Sequence, residues 1–275
     1  MIIAVDTGGT KTLVANFGRN GVLGKQVKFP TPKDPSKYVE VLRATLRENF
    51  ADKEVSAIVV ATPGIINKGV VVWGGGNLSH WKNFNLKLAL FGVLGKAPIF
   101  VENDANLAGL GETRFLKTVP AQSLYVTIST GIGTGIITDG RINQGLKNSE
   151  AGHALIEFDG VVREWETFAS GKAIYKAYGK YAHDITDKHI WNQIADRISR
   201  GFLAVIPILQ PNVIIIGGSI GTYFEEYGKQ LQGILNEKLP KHIPCPTFVQ
   251  AKYPELAVIY GCYYYAFDYF ADKKA

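Results

Sequence analysis

Runs of apolar residues alternate along this chain with segments in which apolar residues recur at helical spacing. The first run starts at Ile2, breaks at a Thr/Gly turn, resumes as LVANF at Leu13 and closes on a polar GRNG turn. Glycine-containing turns between apolar runs are typical of β-hairpins. The spacing then predicts a helix over 35–50, and Pro35 suits the first position of that helix.

The same order of strand, Thr/Gly turn and strand returns in the segment that starts at Leu124. DTGGT in the first copy corresponds to STGIGTG in the second, and both copies continue through a polar turn towards a third strand. Two unrelated hairpins could share this pattern by chance, but the agreement in order and turn chemistry favours duplication. The copies lie roughly 120 residues apart, which is the length of a domain. We therefore expect two similar α/β domains, over 1–115 and 116–275, with the last helix packing back on the first.

The rest of the chain continues the alternation of buried strands and helices. The expected strands are VSAIVVATPG, APIFVEND, PNVIIIGGSIG and PTFVQAKY. The expected helices are LKLALFGVLG, SGKAIYKAYGKYA, KHIWNQIADRISRGFLAVIPILQ, FEEYGKQLQGILNEKL and ELAVIYGCYYYAFDYFA. The last of these is rich in aromatic residues, so we expect it to form core or the surface of a homodimer.

Composition restricts the class of function. The chain has 275 residues, 46% hydrophobic and 20% charged, which is ordinary for a globular protein. Its net charge of +6 comes from scattered basic residues, so we expect no nucleic-acid partner and keep anionic small molecules open. The sequence contains no signal-peptide pattern and no apolar run of about 18 residues, so we expect no membrane segment. Cys245 and Cys262 have no metal-ligand spacing, and a reduced, cytoplasmic setting is the simplest interpretation.

The stretch IFVENDANLAG, residues 99–109, carries the first candidate chemistry. An apolar strand ends there in two acids and two amides, at the start of a helix that extends through Glu112. Either Asn103 or Asp104 could be the N-cap of that helix, since a short side-chain oxygen satisfies a free backbone N–H. Alternatively, Asp104 could serve a ligand, because ligands of open α/β sheets bind beyond the carboxyl ends of strands.

Glycine-rich turns carry the second candidate chemistry. They occur at corresponding positions of the two hairpins, DTGGT and STGIGTG, and a third follows in IIIGGSIG. Glycine lets backbone N–H groups approach phosphate oxygens closely. A single such turn means little, because hairpins need glycine anyway, but three turns together favour a phosphate site in a cleft between the halves.

Six segments taken together resemble the motifs of the ROK family, whose name covers repressors, open reading frames and kinases. They are DTGGTK (6–11), VENDANLAG (101–109), TGIGTG (130–135), SEAGH (149–153), ETFASG (166–171) and PNVIIIGGSIG (211–221). The resemblance implies the actin-like, ribonuclease H-like ATPase fold, with two similar α/β domains around a central cleft. It also implies phosphoryl transfer from ATP to a sugar hydroxyl. Met1 lies one residue before the first strand, which resembles the kinase branch rather than the repressors with their N-terminal DNA-binding domain.

The resemblance also assigns roles to residues. Asp104 becomes the catalytic base, expected to be ionised at pH 7 with a pKa near the ordinary value for a carboxyl group. Sugar contacts are implied for Gly64, Asn77, Asn103, Asp104, Glu150, His153 and Glu166. Phosphate contacts are implied for Gly8, Gly9, Thr10, Lys11, Thr130, Gly131, Gly133 and Thr134, and adenosine contacts for Gly217, Gly218 and Ser219. Asp6 is expected to orient the hydration shell of Mg²⁺.

Several of these residues also have simpler interpretations. Asp6 could cap the hairpin turn, and Lys11 could be a solvated strand charge. Glu166 could be an acid at a helix start, and Asn77 could be a plain turn residue. His153 could be a core histidine.

The chain departs from the family in one segment. Many members hold zinc with a histidine in the GH motif and three cysteines that follow it, whereas the corresponding segment here, ALIEFDGVVREWETF, has no cysteine. A zinc site needs about four ligands, so we expect no structural zinc and expect packing by Phe158 and Trp165 to hold this segment.

The substrate implied is glucose or an N-acetylhexosamine. Two alternatives stay open. The first is a polyphosphate-dependent glucokinase, because a positive net charge suits a polyanion. The second is a sugar-binding regulator without catalysis.

Overall fold

The computed structural model describes residues 1–18 and 20–273, and of Asn77 it describes the backbone alone. Arg19, in the predicted GRNG turn, lies outside the described residues. Contacts between residues divide the chain into unit 1, which comprises residues 1–111 and the segment from Leu256, and unit 2, which comprises residues 112–255. The last helix is part of unit 1.

Strands and helices alternate along the described chain. The strands are β1 (Ile2–Thr7), β2 (Lys11–Phe17), β3 (Leu23–Pro30), β4 (Ala57–Thr62), β5 (Ile65–Asn67), β6 (Val70–Trp73), β7 (Lys82–Asn85), β8 (Ile99–Asn103), β9 (Gln122–Ile128), β10 (Ile132–Thr138), β11 (Arg141–Ile142), β12 (Leu155–Phe158), β13 (Val161–Glu164), β14 (Val213–Gly217) and β15 (Thr247–Gln250). The helices are α1 (Pro35–Phe50), α2 (Leu86–Leu90), α3 (Asp104–Arg114), α4 (Glu166–Ala169), α5 (Gly171–Tyr178), α6 (Lys188–Leu209), α7 (Gly218–Gly221), α8 (Phe224–Lys238) and α9 (Ala257–Asp272).

The two units contain five-stranded sheets with the same order and the same strand directions. In unit 1 the order is β3-β2-β1-β4-β8, and in unit 2 it is β11-β10-β9-β14-β15. The first two pairings of each sheet are antiparallel and the last two are parallel. This agreement is the structural counterpart of the internal repeat, and it accounts for the Thr/Gly turns at corresponding positions.

Helix α1 shows how the sequence determines an element of unit 1. Its N-cap is Asp34, whose side chain accepts a hydrogen bond from the backbone N–H of Lys37 at 2.8 Å. Pro35 follows at the first helical position, where a missing N–H costs nothing. Tyr38 and Leu42, at helical spacing, lie in the core against the sheet. The predicted helix is confirmed at both ends.

Two small sheets were not predicted from the sequence. β5, β6 and β7 form one sheet in unit 1, and β12 pairs with β13 in unit 2. Strands of three or four residues are too short to show a clear period. The second hairpin did carry a signal, because Asp159 and Gly160 join its strands with φ angles of 53° and 75°, and Asp-Gly is a preferred hairpin turn.

Aromatic packing holds the β12–β13 hairpin to the rest of unit 2. Phe158 stacks on Phe168 with ring centroids 4.4 Å apart and an interplanar angle of 2°. The guanidinium of Arg197 lies 5.0 Å from the centroid of Phe158 and donates to the carbonyl of Phe168 at 3.0 Å. Trp165, directly after β13, is fully buried. The expected packing role of Phe158 and Trp165 is what the structure shows.

The residues present do not fit the structural zinc of the family. His153, Glu164 and Glu166 place one possible ligand atom each within 4.8 Å of one another, the only such group found among the described residues. These are three groups, not four, and the His153 and Glu164 side chains are 38% and 43% exposed. His153 Nδ1 already contacts Glu164 Oε2 at 3.2 Å. The β12–β13 segment is therefore held by the packing of Phe158 and Trp165 instead of by a metal ion.

In the described part of the chain, no helix combines the length and apolar character that crossing a membrane requires.

We predict that the purified protein holds far less than one zinc per chain and that a chelator leaves its thermal unfolding midpoint unchanged. The reason is that ring stacking, and not metal ligation, closes the hairpin. Elemental analysis and calorimetry with and without chelator test this. About one zinc per chain, together with a lowered midpoint after chelation, would contradict it.

We predict that Gly201→Ala strongly destabilises the protein. A Cβ at Gly201 of α6 would lie 2.0 Å from Cδ2 and Cε2 of the buried Trp165. Overpacking of this kind costs roughly 1–3 kcal/mol or more of unfolding free energy. Chemical denaturation measures the change.

Gly233→Ala is the matched control for that measurement. Gly233 lies on the exposed side of α8 with open space around its missing Cβ, so alanine should stabilise the helix by roughly 0.5–1 kcal/mol. Equal effects of the two substitutions would refute the packing of Trp165 on Gly201.

Candidate functional site

Hydrogen bonds at the start of α3 fix the end of strand β8. Asn103 Oδ1 accepts from the backbone N–H of Asn106 at 3.0 Å, which is the bond of an N-cap residue. The Asn103 Nδ2 group donates to the carbonyl oxygen of Gly64 at 2.9 Å. Asn103 is therefore the cap, and it also ties the end of β8 to the turn that follows β4.

Glu102 supports this arrangement through two hydrogen bonds, a role that was not predicted from the sequence. Its side chain is 2% exposed, and Oε1 accepts from the backbone N–H of Asn103 at 2.8 Å. The same oxygen accepts from Asn106 Nδ2 at 3.1 Å. A charged residue at the end of an otherwise apolar strand was the available signal, since a buried acid needs partners of this kind.

Asp104 is relieved of capping, so its carboxylate can serve a ligand. Its Oδ1 accepts a hydrogen bond from the N–H of the next residue, Ala105, at 2.8 Å. Burial raises the pKa of Asp104 to about 6, against the opposing effect of hydrogen bonds from the backbone N–H groups of Ala105 and Asp104. The expectation of an ordinary pKa was wrong, because it ignored burial. At pH 7 the carboxylate still exceeds the acid form about tenfold.

Asp6 lies at the same edge of the unit 1 sheet as Asp104. In the register of the parallel strands, Asp6 of β1 pairs with Ala61 of β4, and Ala61 pairs with Glu102 of β8. These pairings show that the carboxyl ends of β1, β4 and β8 lie at the same edge of the sheet, where α/β sheets bind ligands. The structure thus places the predicted magnesium residue and the predicted base at one edge, with β4 between their strands.

The first glycine turn follows Asp6 directly. The N–H of Gly8 donates to the carbonyl of Lys11 at 3.0 Å, which closes the turn between β1 and β2. Gly9 lies at its tip, and Thr10 and Lys11 are exposed. The carbonyl of Thr10 accepts from the N–H of Thr31 at 3.0 Å. The predicted phosphate residues of this turn are therefore contiguous and open to solvent.

Gly64 and Asn77 belong to the segment after β4. Gly64 has a φ of 100°, and a Cβ there would lie 2.0 Å from the carbonyl oxygen of Trp73, so only glycine fits. The turn matters to the site because its carbonyl holds Asn103. Asn77 lies in a short 3-10 helix, Gly76–Leu78, and its side chain is outside what the structure describes.

The second glycine turn, in unit 2, is held by Glu166. Ser129 N–H donates to the carbonyl of Gly131 at 2.9 Å across the turn between β9 and β10. Glu166 Oε2 accepts from the N–H of Ile132 at 3.1 Å, and a Cβ at Gly131 would lie 2.6 Å from that oxygen. Glu166 starts α4, as its simpler interpretation proposed, and it also fixes the turn that carries Thr130.

Gly133 and Thr134 lie in strand β10 and not in the turn itself. Thr134 is 6% exposed, and its hydroxyl donates to the carbonyl of Ser149 at 3.3 Å and accepts from the N–H of Ala151 at 3.4 Å. These contacts hold the segment that contains Glu150. The geometry thus gives Thr134 a positioning role, beside the phosphate contact that the resemblance implied.

Glu150, His153 and Glu166 come together in unit 2 with a fourth group, Glu164. Burial lowers the pKa of His153, but its hydrogen bond to Glu164 and the charges of Glu166, Glu164 and Glu150 raise it more, with a net increase. Glu164 was not predicted from the sequence, because its place in the cluster depends on the register of the β12–β13 hairpin, in which Leu155 pairs with Glu164. The group offers carboxylate acceptors and one imidazole.

The third glycine turn joins β14 to α7. A Cβ at Gly217 would lie 2.3 Å from the hydroxyl oxygen of Tyr125, and Gly218 has a φ of 80°. Both positions therefore need glycine for packing on β9. Ser219 follows and lines a pocket of about 550 Å³ together with Thr130. The structure thus brings residues of two predicted nucleotide turns to one pocket in unit 2.

Comparison with known proteins shows a match over nearly the whole chain. The family model described as "ROK family" matches residues 2–268. A putative fructokinase of Bacillus subtilis (strain 168) is 30% identical, over 80% of this chain and 77% of its own. An N-acetylmannosamine kinase of Salmonella heidelberg (strain SL476) is 27% identical, over 88% and 90%.

Among solved structures, the inorganic polyphosphate/ATP-glucomannokinase of Arthrobacter sp. strain KM is 28% identical, with a TM-score of 0.72 over 96% of this chain and 97% of its own. The architecture is accordingly the actin-like ATPase fold that the motifs led us to expect. Since the family match covers more than nine-tenths of the residues, from the first strand into the last helix, this chain belongs to the ROK family.

Proposed function

We propose that this chain is a sugar kinase that transfers the γ-phosphoryl group of ATP to a hydroxyl of glucose or an N-acetylhexosamine. The observation that carries the proposal is the state of Asp104, whose pKa burial raises to about 6 while Asn103 performs the capping. A general base works best when its pKa lies near the working pH. Membership in a family whose relatives are named as sugar kinases supports the same conclusion.

In the proposed reaction the sugar hydroxyl attacks the γ-phosphorus, and its proton passes to the Asp104 carboxylate. The O–P bond to the sugar forms as the bond from the γ-phosphorus to the bridging oxygen of ADP breaks. Phosphoryl transfer depends mainly on positioning and on charge stabilisation. Asn103 keeps one N–H and one oxygen lone pair beyond its two described bonds, so it can orient a neighbouring sugar hydroxyl.

Asp6 fits the role of a magnesium residue. It is a half-buried carboxylate beside the Gly8 turn. Burial raises the pKa values of Tyr38 and Cys262, and the negative charge of Asp6 raises both further. Mg²⁺ is commonly held by one or two carboxylates together with phosphate oxygens and water. When bound, the ion neutralises phosphate charge. Asp6, with the backbone N–H groups of the first turn, would hold it and the phosphates in place.

Glu150, His153 and Glu166 are the proposed sugar residues of unit 2. Sugar hydroxyls donate strongly to carboxylates. Glu166 uses Oε2 for the N–H of Ile132, which leaves Oε1 as an acceptor. Thr134 holds the segment that carries Glu150, so removal of its hydroxyl would disturb sugar binding indirectly.

The donor and the sugar are the finer parts of the proposal. The names of the relatives include fructose, N-acetylmannosamine and glucose or mannose among the acceptors, and polyphosphate beside ATP among the donors. We favour ATP, because Ser219 of the third turn lines a pocket that a polyphosphate chain would not need. We also propose a cytoplasmic location, since ATP and phosphorylated sugars are used there. We further propose that the chain forms a homodimer through α9.

We predict ADP release with at least one sugar from a panel of hexoses and N-acetylhexosamines, in ATP and Mg²⁺. Asp104→Asn should then lower kcat by roughly 10²–10⁴-fold on the best sugar, because the amide cannot take the proton. Asn103 remains the cap, so the fold should survive. A regulator without catalysis would bind a sugar and turn over none.

The same variant should be as stable as the parent at pH 7.5, or more stable. The folded pKa of about 6 lies above the unfolded value of about 3.9, so ionised Asp104 costs stability as pH rises, by up to about 3 kcal/mol. Asp52→Asn, at an exposed acid of unit 1, is the control and should alter neither rate nor stability. Near-normal turnover by Asp104→Asn would sink the assignment of the base.

A further inference from the structure

Three aromatic rings form a stack at the wall of the pocket of about 550 Å³ in unit 2. The rings of Tyr175 and Tyr181 have centroids 4.5 Å apart and an interplanar angle of 29°. The rings of Tyr181 and His183 are 5.7 Å apart and nearly parallel, at 6°. We call these three residues the aromatic ladder. All three line the pocket that contains Thr130 and Ser219.

The ladder is exposed although it is aromatic. Tyr175 and Tyr181 are 44% and 58% exposed, whereas Tyr227 of the same unit is fully buried in the core. Stacked rings with open faces do not contribute to a core, and they offer a surface on which another flat ring can stack. Helix α5, which carries Tyr175, begins beside the second glycine turn, because Gly171 N–H donates to the carbonyl of Ser129 at 2.6 Å.

The same pocket also offers a charge for phosphate. Lys172 lines it next to the second turn, and its side chain is exposed. A pocket of several hundred Å³ lined by aromatic side chains and a few polar groups is typical of a site for a small ligand. Lys172 and the second glycine turn suit the phosphates of a nucleotide, and the aromatic ladder suits its base.

We propose that the aromatic ladder binds the nucleobase of the phosphoryl donor, which adds to the stack as a fourth ring. The inference rests on the proposed function, in which ATP is the donor. It deepens that function by naming the residues that make the donor a nucleotide. Polyphosphate has no flat ring, so the ladder would do nothing for it. Tyr175, Tyr181 and His183 thereby determine donor specificity.

The test measures binding of a non-hydrolysable ATP analogue and of inorganic tripolyphosphate by calorimetry, in the full chain. Tyr175→Ala removes an end ring of the stack and should weaken binding of the analogue roughly 10- to 100-fold, since stacking of a base on an aromatic side chain is of that size. Tyr181→Ala removes the middle ring, on which both Tyr175 and His183 stack, and should weaken binding of the analogue as well, because the end rings lose their support. Tripolyphosphate affinity should stay within about twofold, because Lys172 and the turn are untouched. The KM for ATP should rise by a similar factor, with little change in the KM for sugar.

Conservative and remote variants sharpen the result. Tyr181→Phe keeps a ring and should recover most of the affinity that Tyr181→Ala loses. Phe91→Ala removes an aromatic residue of unit 1 that is 75% exposed, and it should change neither affinity. Unfolding midpoints of all variants show whether any loss is a loss of fold.

The outcomes separate this inference from the proposed function. If the alanine variants bind the ATP analogue as the parent does, or lose tripolyphosphate equally, the ladder is not a base platform, and the kinase assignment stands. If the parent binds no ATP analogue at all, the ladder proposal is overturned as well. If the ladder behaves as proposed but no sugar is phosphorylated, only the kinase proposal fails.

Discussion

The hydrogen bonds of residues 102–106 are the constraint on which the candidate site depends. The buried Glu102 carboxylate fixes Asn103 and Asn106, and Asn103 then caps α3 and holds the carbonyl of Gly64. Each of these polar groups finds a partner, as burial requires. Because amides do this work, the carboxylate of Asp104 is placed at the sheet edge without a capping duty, and burial raises its pKa.

The duplicated sheet explains why the candidate residues gather at turns. In each unit an antiparallel hairpin leads into parallel strands, so a Thr/Gly turn lies at the edge where parallel strands end. Close backbone approach at Gly64 and Gly218 excludes any side chain from those positions. The same backbone geometry that suits phosphate binding is thus also required for folding. The glycine motifs alone therefore could not show whether a glycine is needed for phosphate binding or for folding.

Much of the fold followed from the sequence, and the finer parts of the site did not. Periodicity and Pro35 predicted the bounds of α1, and the repeat predicted two similar α/β halves, whose sheets have the same strand order in the structure. The choice between Asn103 and Asp104 as cap was undecidable, because it depends on the distant carbonyl of Gly64. The pKa of Asp104 depends on burial, which is a tertiary property. Glu164 meets His153 only through the strand register of a hairpin whose Asp-Gly turn was overlooked.

The pH dependence of kcat/KM tests the central claim most directly, since it reports the pKa of the base in the free enzyme. With the best sugar, kcat/KM should fall below an apparent pKa of about 6 as Asp104 is protonated. That acid limb should vanish in Asp104→Asn and persist, at lower activity, in His153→Asn. An acid limb that persists in Asp104→Asn, or that lies near 4 in the parent, would contradict the account.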